Sequence, residues 1–192
     1  MPKKVSLDAG KFYQHYPRIT TIVTARSGTR ENAMAVAWNS PLSFVPPLFG
    51  VSISPQRFTH QLILESREFG VCFLTLDKAE KIAAIGGSKG GEIDKFETFH
   101  LAKEKAVKTS VPLLRDAYLS YECKLVADHT YGDHHWFVGQ VVAVHIEEGI
   151  LTGDELLDLH KVTPALYMGA DRYVGAAPQT LRFIDRQQFQ KK

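Results

Sequence analysis

Short apolar runs, interrupted at close intervals by Gly, Pro, Asn or Ser, dominate the chain. Ile19–Ala25, Ala33–Trp38, Leu48–Ile53, Phe69–Leu76, Ala117–Ala127 and His135–Ile146 are rich in Val, Ile, Phe and Tyr, residues that fit a pleated, half-buried surface. They are predicted strands. Helical candidates are few: Thr59–Ser66, and then Lys78–Ile85 and Gly153–His160, where apolar residues recur at spacings of three and four. Helices and strands do not alternate as a doubly wound parallel sheet requires. The pattern predicts a mainly β protein, an antiparallel barrel or sandwich with a few helices packed outside. Pro41 and Pro46-Pro47 fall between strands as turn residues, and no internal repeat appears, so residues 1–192 are expected to form one domain.

Composition narrows the partners. With 192 residues, 44% of them hydrophobic, the chain can bury a sizeable core. Lys and Arg number 23 against 21 Asp and Glu, so no strong field draws the whole molecule to nucleic acid or to an anionic membrane. Any anion must be bound locally. Cys72 and Cys123 lie in strand-like runs and cannot build a disulfide framework, which suits a reducing cytoplasm. The first ten residues lack the apolar stretch of a signal peptide, and no run reaches membrane-spanning length.

Three stretches carry candidate chemistry. From Asn32 to Pro41, small side chains alternate with larger ones, so one strand face exposes backbone. That suits a flat ring whose polar edge meets main-chain groups, or equally a tightly packed barrel interior. From Ser52 to Glu65, a strand ends in Ser54, a proline turn follows, and Arg57 and Thr59 open a helix. Free N–H groups, a helix dipole, a guanidinium and a hydroxyl together suit a phosphate; an ordinary helix start with a solvated arginine reads the same way. From Asp128 to Gly139 come three histidines. His134 and His135 point to opposite strand faces and no zinc spacing is present, so no metal is expected; His134 is the candidate donor near a ligand. The glycine-rich Gly86–Gly91 has neither P-loop nor dinucleotide spacing and is expected to be an exposed loop or a lid over a ligand. Asp94-Lys95-Phe96 and Tyr167–Tyr173 have no mechanism that spacing supplies.

In order, these stretches resemble the flavin reductase-like family, FMN-binding split barrels that include flavoredoxins and ferric reductases. The resemblance rests on Asn32–Pro41, Ser54–Thr59, Glu65–Val71, Asp94–Phe96, Glu122-Cys123 and Gly132–Gly139, and covers most of the chain. It implies an antiparallel Greek-key split β-barrel, with a C-terminal extension over about 161–192 packed on it, and a homodimer with FMN near the subunit interface. Carried over by position, Ala35, Ala37, Trp38 and Asn39 would line the flavin ring, and Ser40, Ser54, Arg57 and Thr59 would hold ribityl and phosphate. Lys95 matches a basic position near the flavin, and His134 the catalytic histidine beside its exposed face. Gly169-Ala170 departs from the two glycines expected in the longer branch. The implied function is an NAD(P)H oxidoreductase passing electrons through FMN to free flavin or another small acceptor. The alternatives are a flavoredoxin-like carrier that exchanges electrons with a protein partner, and a split barrel that binds another planar anion.

Overall fold

The computed structural model describes residues 1–189. In chain order its strands and α-helices are β1 (Arg18–Ile19), β2 (Thr21–Ser27), β3 (Arg30–Val36), β4 (Asn39–Phe44), β5 (Pro47–Ile53), α1 (Phe58–Ser66), β6 (Glu68–Phe73), α2 (Ala79–Gly87) and α3 (Lys95–Thr98). Then come β7 (Lys103–Lys105), β8 (Pro112–Leu114), β9 (Leu119–Tyr131), β10 (His134–Ile146), β11 (Leu166–Gly169) and β12 (Arg172–Val174).

The main sheet is antiparallel throughout and has seven strands in the order β3-β2-β6-β9-β10-β5-β4. Its two edge strands, β3 and β4, are neighbours in sequence. The sheet therefore has to curl until its edges meet, and the chain crosses the gap through Ala37 and Trp38. A backbone hydrogen bond closes on this crossing, the Ser52 N–H donating to the Trp38 carbonyl at 2.9 Å. The result is an open barrel whose ladder is interrupted at one place.

Side-chain alternation explains the two cores. Inside the barrel, Val23, Val51, Ile53, Phe69 and Phe137 are buried together with Leu62 and Ile63 of α1. On the other face, Ile22 and Cys72 pack with Ile82 and Ile85 of α2, Phe96 of α3 and Leu113 of β8. Strands β2 and β6 are thus covered on both sides, which is why they read as continuous apolar runs. Each fully buried large side chain contributes roughly 1.5–3 kcal/mol of transfer free energy.

A buried carboxylate ties the segment after β7 to the sheet. Glu122, fully buried on β9, accepts hydrogen bonds from the N–H groups of Val107, Lys108 and Thr109 and from the Thr109 hydroxyl, with His145 Nε2 at 2.7 Å. Burial alone would raise its pKa; the backbone donors, His145 and Thr109 outweigh it and hold the carboxyl at about 2.

One sequence expectation needs correction. Gly153–His160 is not a helix: the Leu156 N–H donates to the Thr152 hydroxyl, Asp158 N–H to the Ile150 carbonyl, and Glu155 is left-handed at φ 61°. Thr152 offers the backbone a local alternative that a short, glycine-flanked segment takes. The Asp128–His134 stretch is the end of a long hairpin, turned at Gly132 (φ 60°) and Asp133, with Tyr131 opposite His134. Within the C-terminal extension, Val162 and Ala165 are buried and β11 pairs with β1, whereas Leu181, Phe183 and Ile184 are exposed. Residues 190–192 of that expected extension lie outside the described residues. No helix among the described residues is long and apolar enough to cross a membrane.

Candidate functional site

Three connected cavities follow the seam and meet at Ala35, with volumes of about 570, 210 and 260 Å3. The largest is the cationic end. Pro55 turns the chain out of β5, so α1 begins with Arg57 in extended conformation and no side-chain cap, leaving first-turn N–H groups unpaired by any side chain. Arg57 and Thr59 line this cavity, and Lys95 faces them. Asp94 positions that lysine by capping α3, its carboxylate accepting from the N–H groups of Phe96 and Glu97. Lys95 is 4% exposed, and its Nζ donates to the Ile85 carbonyl in the last turn of α2 at 2.7 Å. Burial, and then the charge of Arg57, lower its pKa to about 8. Neither this buried ammonium nor the guanidinium beside it is paired with a carboxylate among the described residues, and the cavity has room for an anion.

Asn32, which sequence reasoning passed over, belongs to this end. It is 3% exposed, lines the cavity, and its Nδ2 donates to Thr59 Oγ1 at 2.8 Å. Thr59 thereby receives its bond from inside the protein, and its own O–H is left to donate elsewhere. Asn32 Oδ1 has no partner among the described residues. Gly90 packs on this amide so closely that a Cβ there would meet Oδ1 at 2.1 Å. The Gly86–Gly91 segment is therefore a wall of the cleft, with Ser88, Lys89 and Gly90 along it. A polar amide in an otherwise small-residue strand was the signal available for Asn32.

The other end is aromatic. Residues before β1 fold back across the seam, so that Tyr13, Tyr16, Trp38, Tyr167 and His134 line the 260 Å3 cavity. His134 lies 4.7 Å from Trp38, ring centroid to centroid, and its Nδ1 is 2.8 Å from the Asp133 carboxylate, which that contact makes more acidic. His135 faces the opposite side. There His60 Nε2 is 2.8 Å from His135 Nδ1, and Asp128, itself paired with Arg67, is 3.2 Å from His135 Nε2. This chain lies behind α1, outside the three cavities.

The cleft thus brings together Ala35, Ala37, Trp38, Arg57, Thr59, Lys95 and His134. It does not gather the remaining three. The Asn39 amide is buried and donates to the carbonyls of Ile19 and Val36, fastening the crossing between the two edge strands. The Ser40 hydroxyl donates to the Pro41 carbonyl, and Ser54 Oγ accepts from the Gln56 N–H within the proline turn. No group of three or more His, Cys, Asp and Glu side chains among the described residues is arranged to hold a metal ion.

The architecture is a split barrel with a cleft along its seam, cationic at one end and aromatic at the other. The family model for the flavin reductase like domain matches residues 13–175, and the chain belongs to that family. An FMN-binding protein from Thermus thermophilus, solved with bound 1-cyclohex-2-enone, is 37% identical with a TM-score of 0.84, covering 95% of this chain and 99% of that one. A flavoredoxin from Methanosarcina acetivorans shares the fold at 23% identity and a TM-score of 0.87, over 98% of this chain and 100% of that one. Among curated relatives, the reductase component of a FADH(2)-dependent resorcinol hydroxylase from a Rhizobium species is 27% identical over 182 residues, 94% of this chain and 92% of its own.

Proposed function

We propose that this protein binds FMN in the seam cleft and acts as an oxidoreductase, taking hydride from NADH or NADPH and passing electrons to free flavin or another small acceptor. The observation that carries this reading is the pairing, in one cleft, of a phosphate-like donor set with a flat small-residue seat. Arg57, Lys95, the Thr59 hydroxyl and the uncapped start of α1 suit a phosphate dianion. The unpartnered Asn32 Oδ1 needs a donor, which a ribityl hydroxyl supplies. Ala35 and Ala37 leave room for a ring beside the chain at the seam. These residues fit the group.

Bound FMN would supply hydride acceptance and its release as one or two electrons. The protein's own part is to bind, orient and tune. Arg57 and Lys95 place positive charge near the ligand; Asn32 fixes Thr59 so that its proton faces a ligand rather than the protein. His134 is the residue we assign to proton donation or to gating the nicotinamide, because its Nδ1 is engaged by Asp133 and its Nε2 is left open. The names of the Thermus and Rhizobium relatives support the cofactor and the reductase chemistry respectively. We extend the proposal to a homodimer in the cytoplasm; Phe44 at 97% and Val45 at 92% exposure form an apolar tip between β4 and β5 that a second copy would cover.

Anaerobic mixing of FMN-loaded protein with NADH and with NADPH tests the enzyme. Bleaching of the flavin by either is expected. A flavin reduced by neither nucleotide rejects the enzyme and leaves the flavoredoxin-like carrier, while a protein that FMN neither tints nor stabilises rejects both.

A further inference from the structure

After β12 the chain leaves the body of the protein as an arm. Its root is fastened at Gly175, where a Cβ would meet Thr163 Cγ2 at 2.2 Å. Beyond it, the hydrogen bonds of residues 176–189 stay within the segment: the Thr180 N–H and hydroxyl donate to the Ala177 carbonyl, Leu181 N–H to the Pro178 carbonyl, and Gln187 N–H to the Asp185 carboxylate. Every residue from Gln179 to Phe189 is exposed. Among them are four large apolar side chains, Leu181, Phe183, Ile184 and Phe189, with Phe183 exposed to 93%. Single apolar residues scattered over a surface are ordinary, whereas this density marks a contact segment. Arg182 and Arg186 alternate with them, so the arm is apolar and basic.

The opposite character lies on the loop that follows β10. Ile146, Leu151 and Leu156 are exposed there, and the exposed carboxylates of Glu147, Glu148, Asp154 and Glu155 stand among them. The loop is a firm platform: Leu151 and Leu157 pair as an antiparallel bridge, and Thr152 binds both the Asp154 carboxylate and the Leu156 N–H. None of these four carboxylates, nor Arg182 or Arg186, belongs to a salt bridge among the described residues. Arm and loop are thus complementary in charge and both apolar, and both stay exposed, so neither covers the other within one chain. We infer that the arm of each copy lies on the loop Ile146–Leu157 of a second copy. A two-fold axis satisfies both surfaces at once, because each copy gives one arm and receives one. A phenylalanine brings roughly 150–250 Å2 to such a contact, so two arms with the loops beneath them reach the order of the 1,600 Å2 of a standard interface. The inference rests on the homodimer proposed above and not on the flavin.

The test is a charge swap on the full chain, read by sedimentation velocity. Arg182→Glu with Arg186→Glu sets carboxylates against carboxylates, and Glu148→Lys with Glu155→Lys sets cations against cations. Each pair of changes should raise the dissociation constant of the dimer about tenfold or more, with the circular dichroism of the wild type retained because all four positions are exposed. An equimolar mixture of the two variants should recover wild-type association, since every arm in the mixed dimer again faces a loop of opposite charge. Phe183→Ser should weaken the dimer by a similar factor. Swapped variants that dimerise as tightly as the wild type, or a mixture no tighter than its components, would overturn the contact while leaving a dimer held elsewhere. A monomeric wild type rejects the homodimer and the contact with it. Binding of the wild type to phosphatidylserine but not phosphatidylcholine vesicles, with dimerisation untouched by the swaps, would assign the arm to an anionic surface instead.

Discussion

Lys95 gives the sharpest test of the cationic end, because burial brings the pKa of its ammonium down to about 8. Its pKa falls from 10.5 to about 8 on burial beside Arg57, which corresponds to about 3 kcal/mol of disfavoured charge at about 1.4 kcal/mol per tenfold. A lowered lysine pKa weakens the fold while the folded lysine is charged: the cost is complete below pH 8 and fades as pH rises from about 8 to 10.5. A phosphate bound against Lys95 reverses that preference, and binding must then restore the proton wherever the free protein has lost it. Between pH 7.5 and 9.5 the protonated fraction of the free protein falls about 25-fold for a pKa of about 8, and FMN affinity should fall by the same factor. Lys95→Met should bind FMN roughly 10- to 100-fold more weakly at pH 7.5, the worth of a charged hydrogen bond, but with little further loss at pH 9.5. Fluorescence titration of FMN at the two pH values measures both quantities. An equal drop with pH in the wild type and in Lys95→Met would refute the placement of the phosphate beside this ammonium.

Other substitutions probe the remaining claims. Arg57→Ala should weaken FMN binding roughly 10- to 100-fold with little loss of stability, read by the same titration and by urea unfolding. Asn32→Ala removes an amide whose carbonyl is unpaired without ligand, so FMN affinity should fall about tenfold while stability changes by no more than about 1 kcal/mol; the reverse ranking would make Asn32 structural. Glu122→Gln should cost about 3 kcal/mol at pH 7. The folded carboxyl titrates near 2 against an ordinary 4.5, so its contribution is complete above pH 4.5 and lost as pH falls toward 2, with about 60% gone by pH 3; urea unfolding at both pH values should show the two proteins converging. Ala170, left-handed at φ 48°, should be improved by glycine: Ala170→Gly is expected to stabilise by roughly 0.5–1 kcal/mol in thermal unfolding, and a loss would show the β11–β12 turn to be unstrained.

The strands that were legible in the sequence are those buried on one or both faces, because burial imposes an apolar pattern that periodicity detects. The edge strand β4 was not. Asn39, Ser40, Pro41 and Ser43 read as a loop, yet an edge has one unpaired side on which proline is tolerated. Gly153–His160 failed in the opposite way, since its apolar spacing of three and four outweighed the turn chemistry of Thr152. Arg57 and Thr59 come together at the cleft because a proline turn before a helix is a local feature of the chain. The Asn39 amide turns into the sheet because the strand breaks beside it, and a small-residue stripe does not say where that break falls. Tyr13 and Tyr16 left no local sign at all: their partners, Tyr167 and Trp38, lie elsewhere in the chain and meet them only by tertiary folding.

Strands β3 and β4 are adjacent in sequence and terminal in a seven-strand ladder. The crossing at Ala37 and Trp38 therefore joins the two ends of one ladder, and the cleft lies where those ends share no ladder of their own. A ligand bridging that crossing acts as a bolt across the opening. It stabilises the folded state, and its effect grows with free concentration as RT ln(1 + [L]/Kd), about 2.7 kcal/mol at one hundred times Kd. Slower amide exchange in β3 and β4 on filling the cleft would register this bolt.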